Sequence, residues 1–319
     1  MVSLRSIEGL PEDIRGHASV AIGNLDGVHL GHRALLAKAI DSARARAGKA
    51  CVLTFSPHPQ EVLHPGESSL RLTTDEEKKK LIEELGIDAL VFLPFDNALA
   101  EQSAEAFFES VLHRGFQAAS IHVGEDFRFG AKRLGDTALL KTLGAAAGIE
   151  VDTLAAVEQN GARISSTRIR QALQQGNVRE AGFLLGRPYA LSATVVRGAG
   201  RGSGLGFPTA NLDYPVEKAV PCNGVYACRV LKEGKSFGAV ANLGMRPTFA
   251  GATSNRPVLE AHLLDFHGSL YGTQVEIEFV DRLREEKRFA NVQALQAQIA
   301  QDVAHVKSLY AEESWPFMF

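Results

Sequence analysis

The sequence predicts an α/β domain followed by a β-rich one: a doubly wound, Rossmann-like parallel sheet, then a small antiparallel β-barrel with a terminal helix. Three observations predict it. Short apolar runs at 18–22, 50–55, 89–93, 119–123 and 149–151 alternate with helix-like stretches, as buried parallel strands do. After Gly161 the alternation gives way to β-rich runs at 190–196, 225–231, 236–243, 257–264 and 273–280, punctuated by Gly, Pro and Asn. The length, 319 residues, exceeds what one hydrophobic core usually serves. The boundary falls near residues 182–188, giving domains over 1–184 and 185–319.

Taken in order, the run at 18–22 feeds the loop Gly23-Asn24-Leu25-Asp26-Gly27-Val28-His29-Leu30-Gly31-His32, and a helix is expected over 34–47. The next helix, 75–85, is announced by Thr73 and Thr74 with Glu76 and Glu77 three residues on, a capping-box pattern, and is stopped by Gly86. Helices over 103–112 and 137–147 complete the alternation with the five strand runs. Two short helices, 165–175 and 178–185, are closed by Gly176 and Gly186. At the far end Val292, Leu295, Ile299, Val303, Val306 and Tyr310 form one helical stripe, expected to pack on the barrel.

Composition excludes several classes. Hydrophobic content of 45%, charged content of 22% and a net charge of −3 describe an ordinary globular chain without the basic face that nucleic acid requires. No apolar run reaches membrane-span length, and the N-terminus lacks an apolar signal segment. The three cysteines, Cys51, Cys222 and Cys228, follow no metal or disulfide spacing and fit a reducing cytoplasm. Neither nucleic acid nor membrane is expected as a partner, and homo-oligomerisation is left open.

The His-x-Gly-His loop is the strongest chemical signal. A helix start offers unpaired N–H groups and partial positive charge, Gly31 lets backbone approach a phosphate, and His29 and His32 can donate to one that gains charge. Gly23 and Asn24 belong to the same cradle. Arg163-Ile164-Ser165-Ser166-Thr167-Arg168-Ile169-Arg170 sets hydroxyls at a helix start between arginines, a second anion site. Together the two suit a triphosphate and nucleotidyl transfer with loss of pyrophosphate. Asp126 and Phe127 lie in the loop after the fourth run, where Phe127 and Phe129 suit either stacking on a planar ring or packing. Ser56-Pro57-His58-Pro59 holds His58 rigidly without assigning it a role.

In the second domain the run Gly198 to Gly206, including Gly202, permits backbone to fold round phosphates but is not a Walker loop. Thr209 and Asn211 alternate on one strand face, where a hydroxyl and an amide oxygen suit Mg²⁺ beside phosphates. Glu260, in the apolar run Val258-Leu259-Glu260-Ala261-His262, is either an edge-strand surface charge or an inward general base.

These motifs, in this order, resemble the bifunctional bacterial riboflavin kinase/FAD synthetase family over essentially the whole chain. The resemblance rests on His29-Leu-Gly-His32, Arg163-x-x-Ser166-Thr167-x-x-Arg170, Gly206-Phe-Pro-Thr-Ala-Asn211, Asn242-Leu-Gly-x-Arg-Pro-Thr-Phe249, Glu260-x-His262 and Leu283-Arg-Glu-Glu-Lys-Arg-Phe289. It implies that the C-terminal domain phosphorylates riboflavin with ATP and Mg²⁺ to give FMN, and that the N-terminal domain adenylylates FMN to FAD. It further implies that Thr209 and Asn211 bind metal and phosphates, that Glu260 activates the ribityl hydroxyl, and that Arg284, Glu286 and Phe289 close over the flavin. In the first domain it gives His29, His32, Arg163, Ser166, Thr167 and Arg170 to ATP, and Asp126 and Phe127 to the flavin. Leu25, Ser203 and Ala261 depart from the commoner pattern without removing a reactive group. Another His-x-Gly-His adenylyltransferase, acting on a pantetheine or nicotinamide phosphate, leaves the second domain unexplained. A non-catalytic flavin or nucleotide sensor does not explain why the reactive residues are intact.

Overall fold

A computed structural model describes residues 1–64, 66, 70–198, 204–245 and 256–311. The chain divides into two compact units, Met1–Ser165 and Ser166–Phe319.

The first unit is built on six parallel strands: β1 (Val2–Leu4), β2 (Ala18–Ile22), β3 (Lys49–Ser56), β4 (Ala89–Pro94), β5 (Ala118–Gly124) and β6 (Glu150–Leu154), in spatial order β1-β4-β3-β2-β5-β6. Period-two alternation sends Val20, Ile22, Cys51, Leu53 and Val91 to one apolar layer and Ala21, Val52, Leu90 and Phe92 to the other. Both faces are therefore covered, as a parallel sheet requires. The five expected strands are all present, and the three-residue edge strand β1 joins them. The chain winds outward from β2 through β3 to β4, then β5 returns to the other side of β2. The switch point between β2 and β5 is where ligands bind in such sheets. The loops after β2 and β5, carrying His29 and Asp126, flank it. A two-stranded ribbon, β7 (Glu158–Gln159) with β8 (Ala162–Arg163), ends the unit.

The helix after β2 spans Leu30–Ala45, four residues earlier than the expected start. The reason is the cap: the His29 imidazole takes the place usually held by Ser, Thr, Asp or Asn, its Nδ1 accepting the His32 N–H at 3.2 Å. The capping box forms on Thr74 and Glu77, at 3.2 and 3.0 Å, in front of the helix Asp75–Glu84. The helix expected over 103–112 is a short α-turn, Ala104–Phe107, running into a wider π-helical stretch, Phe108–His113.

The second unit opens with the helices Ser166–Gln174 and Val178–Leu185, and the Cys222 N–H donates to the Leu173 carbonyl at 3.0 Å. Its six antiparallel strands are β9 (Tyr189–Val196), β10 (Ala210–Asp213), β11 (Gly224–Lys232), β12 (Lys235–Gly244), β13 (Val258–Leu263) and β14 (Gln274–Arg284). They close in the order β10-β13-β12-β11-β14-β9. Leu259, Ala261 and Leu263 are buried, as are Leu243 and Leu212, which pair with Leu259 across the ladder. The opposite face carries Val225, Ala227 and Val240, packed with Val306 and Val303 of the terminal helix Val292–Ala311. The helix stripe packs there from Val303 onward, whereas Val292 is 53% exposed at the first turn.

Candidate active sites

In the first unit Gly31 packs tightly against the cap. The His29 ring lies so close that a Cβ at position 31 would stand 3.2 Å from its Cε1. The rings of His29 and His32 stack at 3.5 Å with a 15° tilt. A Gly31 Cβ would also stand 3.9 Å from Val157, which brings the β7–β8 ribbon beside the loop. On that ribbon Arg163 pairs with Asp126 at 2.7 Å, so an expected phosphate ligand and an expected flavin ligand meet at the switch point. Ser166, Thr167 and Arg170 lie on the first turns of the helix Ser166–Gln174, which belongs to the second unit.

Beneath the loop, the buried Asp26 accepts the N–H groups of Leu72 and Thr73, each at 3.0 Å. Gly27 N–H donates to Thr73 Oγ1 at 3.0 Å. Asn24 is exposed, but its carbonyl accepts from Lys78 Nζ at 2.7 Å and Thr54 Oγ1 at 3.1 Å. Burial pulls the Lys78 ammonium below its usual range, against the pull of Asp26 and Asp75. Sequence reasoning missed Lys78 because it sits in the run Lys78-Lys79-Lys80. The signal was its spacing: Leu81, Ile82 and Leu85 follow at three, four and seven residues, so Lys78 shares the apolar stripe. Phe127 is half-buried and stacks on Phe129 at 5.5 Å, one step in a run that continues to Phe107 and Phe55. His58 Nδ1 caps the short helix Pro59–Leu63 by accepting the Gln60 N–H at 3.2 Å.

In the second unit the register aligns Asn211 with Glu260, and Glu260 with Asn242, across β10, β13 and β12. All three share the outer barrel face, with Val225 opposite Asn242. Glu260 is therefore neither inward nor on an edge strand. It is half-buried on a central strand of a closed barrel, because alternation with Leu259 and Ala261 turns it outward. Gly198 packs so tightly on Asn211 that a Cβ there would overlap its amide. Strand β10 begins at Ala210, so Thr209 lies just before it. His262, on the Glu260 face, donates from Nδ1 to the Pro208 carbonyl at 2.8 Å and meets the Phe207 ring edge-on, fixing the approach to Thr209. Gln296 of the terminal helix donates to the Leu205 carbonyl, bracing the segment that holds Gly206. Gly202 lies outside the described residues.

Glu286 accepts from Asn242 Nδ2 at 3.3 Å, placing it beside the Glu260 row. Arg284 is held in a fork by Asp302, Nη2 to Oδ2 2.8 Å, and its guanidinium lies 5.7 Å from the Phe289 ring. Asp302 is 6% exposed, so this pair clamps the terminal helix to the barrel.

Comparison with known proteins bears on both units. Residues 12–168 match the FAD synthetase family, and residues 185–310 match the riboflavin kinase family. The bifunctional riboflavin kinase/FMN adenylyltransferase of Escherichia coli K12 is 40% identical over 95% of this chain and 96% of its own length. The chain belongs to that bifunctional family. FMN adenylyltransferase is the activity of its N-terminal part and riboflavin kinase that of its C-terminal part. The Pseudomonas fluorescens member is 38% identical over 98% of both chains. A crystal structure described as a macrolide-efflux protein from Streptococcus pneumoniae is 30% identical, with a TM-score of 0.87 over 96% of this chain and 98% of that one. Among the described residues no helix is long and apolar enough to cross a membrane.

Proposed function

We propose that each reaction of this family is carried by one of the two constellations, and that FMN made at the Glu260 row is the acceptor at the His29 loop. In the first reaction the Glu260 carboxylate takes the proton of the ribityl 5′-hydroxyl, whose oxygen attacks the γ-phosphorus of ATP as ADP leaves. Gly198, Gly202 and Gly206 cradle the phosphates. The oxygens of Thr209 and Asn211 would hold Mg²⁺, which supplies charge neutralisation between phosphate oxygens. What supports that donor set is the close seat of Gly198 backbone on the buried Asn211 amide, beside a carboxylate. Arg284, through its clamp to Asp302, sets Glu286 and Phe289 against the flavin.

In the second reaction an FMN phosphate oxygen attacks the α-phosphorus of ATP and pyrophosphate leaves. His29 and His32 donate to the phosphates, with Gly23, Asn24 and Gly31 forming the cradle. Arg163, Ser166, Thr167 and Arg170 supply further anion contacts, and Asp126 and Phe127 face the flavin. This chemistry is positioning and charge stabilisation. The boundary between the catalytic domains falls at 184/185, and the free cysteines suit a cytoplasmic setting.

The observation that carries this reading is the Asn211–Glu260–Asn242 row on the barrel together with a His-capped helix at the sheet's switch point. The test incubates the protein with riboflavin, ATP and Mg²⁺, with and without excess chelator, and separates the products. FMN followed by FAD is expected with Mg²⁺ and neither with chelator. FMN formation that survives chelation would overturn the metal assignment.

A further inference from the structure

Of the run Lys78-Lys79-Lys80 only Lys78 is buried, at 4% exposed. Its Nζ reaches the Asn24 carbonyl at 2.7 Å and lies 3.5 Å from Thr54 Oγ1, which donates to the same carbonyl at 3.1 Å. The Phe92 ring centroid is 6.0 Å away. A buried ammonium is costly unless its protons are satisfied, and here it is directed at one backbone oxygen of the loop that leads to His29. The neighbouring residues Leu72 and Thr73 hold Asp26 and Gly27 of that loop. The loop is thus fixed from below by one short segment while Asn24 faces outward.

We infer that Lys78 is a positioning residue for adenylyl transfer: with Thr54 it locks the Asn24 peptide, and so holds the loop carrying His29 in the shape that receives ATP. This rests on the reading that the loop binds ATP. Lys78 touches neither substrate nor reacting atoms. It acts through the Asn24 carbonyl, so its loss should weaken ATP capture more than the chemical step. Thr54 shares the acceptor, so the two losses should not add.

The test uses the full chain, whose riboflavin kinase activity reports independently on integrity. Lys78→Met should raise KM for ATP in FMN adenylylation roughly 10- to 100-fold, the worth of one hydrogen bond from a charged donor. Its kcat should change by less than about threefold, as expected when binding rather than chemistry is lost. FMN formation from riboflavin should be unchanged. Thr54→Val should raise the same KM by a smaller factor, and the double variant should fall short of the product of the two. An unchanged KM in Lys78→Met, a fall in kcat alone, or multiplying effects would overturn the inference. If Lys78→Met does not fold, an unchanged KM in Thr54→Val overturns it. His29→Asn separates the two ideas. If it leaves adenylylation intact, the reading of the loop fails. If it is impaired beside an unaffected Lys78→Met, only the role of Lys78 fails.

Discussion

The observed cap and the proposed phosphate contact share the His29 ring, and a pair of substitutions can separate them. The His29 Nδ1 caps the helix Leu30–Ala45, and the phosphate contact proposed for the same ring falls to Nε2. Removing an N-cap costs about 1 kcal/mol. In the 165-residue first unit, Met1–Ser165, that lowers the melting temperature by about 2–4 °C. His29→Ala should show this loss and a fall in FMN adenylylation of about 10²–10³, the usual effect of deleting one donor to a charge-developing group. His29→Asn keeps an oxygen where Nδ1 stands, so it should recover the cap while leaving adenylylation as impaired as in the alanine variant. The assay is paired: thermal unfolding, and chromatographic separation of FMN and FAD after incubation with FMN and ATP. Asparagine at 29 with near-normal FAD formation would refute the phosphate role. Equal stability of all three proteins would refute the cap.

Two further outcomes follow from the same geometry. His122 is buried beside Ser120, 3.1 Å from its Oγ, and faces Asp152, Glu150 and Lys38; burial dominates and holds its pKa below the ordinary value. A depressed histidine favours folding when neutral, so its contribution is complete above the unfolded pKa of about 6.5 and is lost as pH falls through the folded value; the wild type should therefore lose more stability between pH 7 and 5 than His122→Gln, and equal pH slopes in thermal unfolding would contradict this. Asp302→Asn breaks the fork on Arg284 and should destabilise the barrel by roughly 2–4 kcal/mol, lowering riboflavin phosphorylation but not the adenylylation of supplied FMN, a split that product analysis reads directly.

Much of this was legible in the residues because local rules and the fold agree. Strand runs such as 18–22 and 89–93 are buried on both faces and read as continuous apolar segments, and the Thr74–Glu77 capping box formed as spaced. The first helix begins at Leu30 rather than at the expected residue 34 because histidine, which is not among the usual caps, caps it. Strand β1 is not legible in the sequence because three residues carry too little periodicity, whereas β10 lies where Thr209 and Asn211 predict a strand. Whether Glu260 faces in or out depends on barrel closure and on the terminal helix, neither of which a six-residue run encodes. Lys78 was visible as a charge on an apolar stripe, yet its partner, the Asn24 carbonyl, lies 54 positions away in the chain.

If two separate stations act in series on one chain, as proposed, Glu260→Gln silences one and spares the other. Given riboflavin, ATP and Mg²⁺, this variant should form no FMN, while FMN supplied from outside should be converted to FAD at the wild-type rate. FMN formation by the variant would remove Glu260 from the kinase step, and a parallel fall in conversion of supplied FMN would contradict the separation of the two sites.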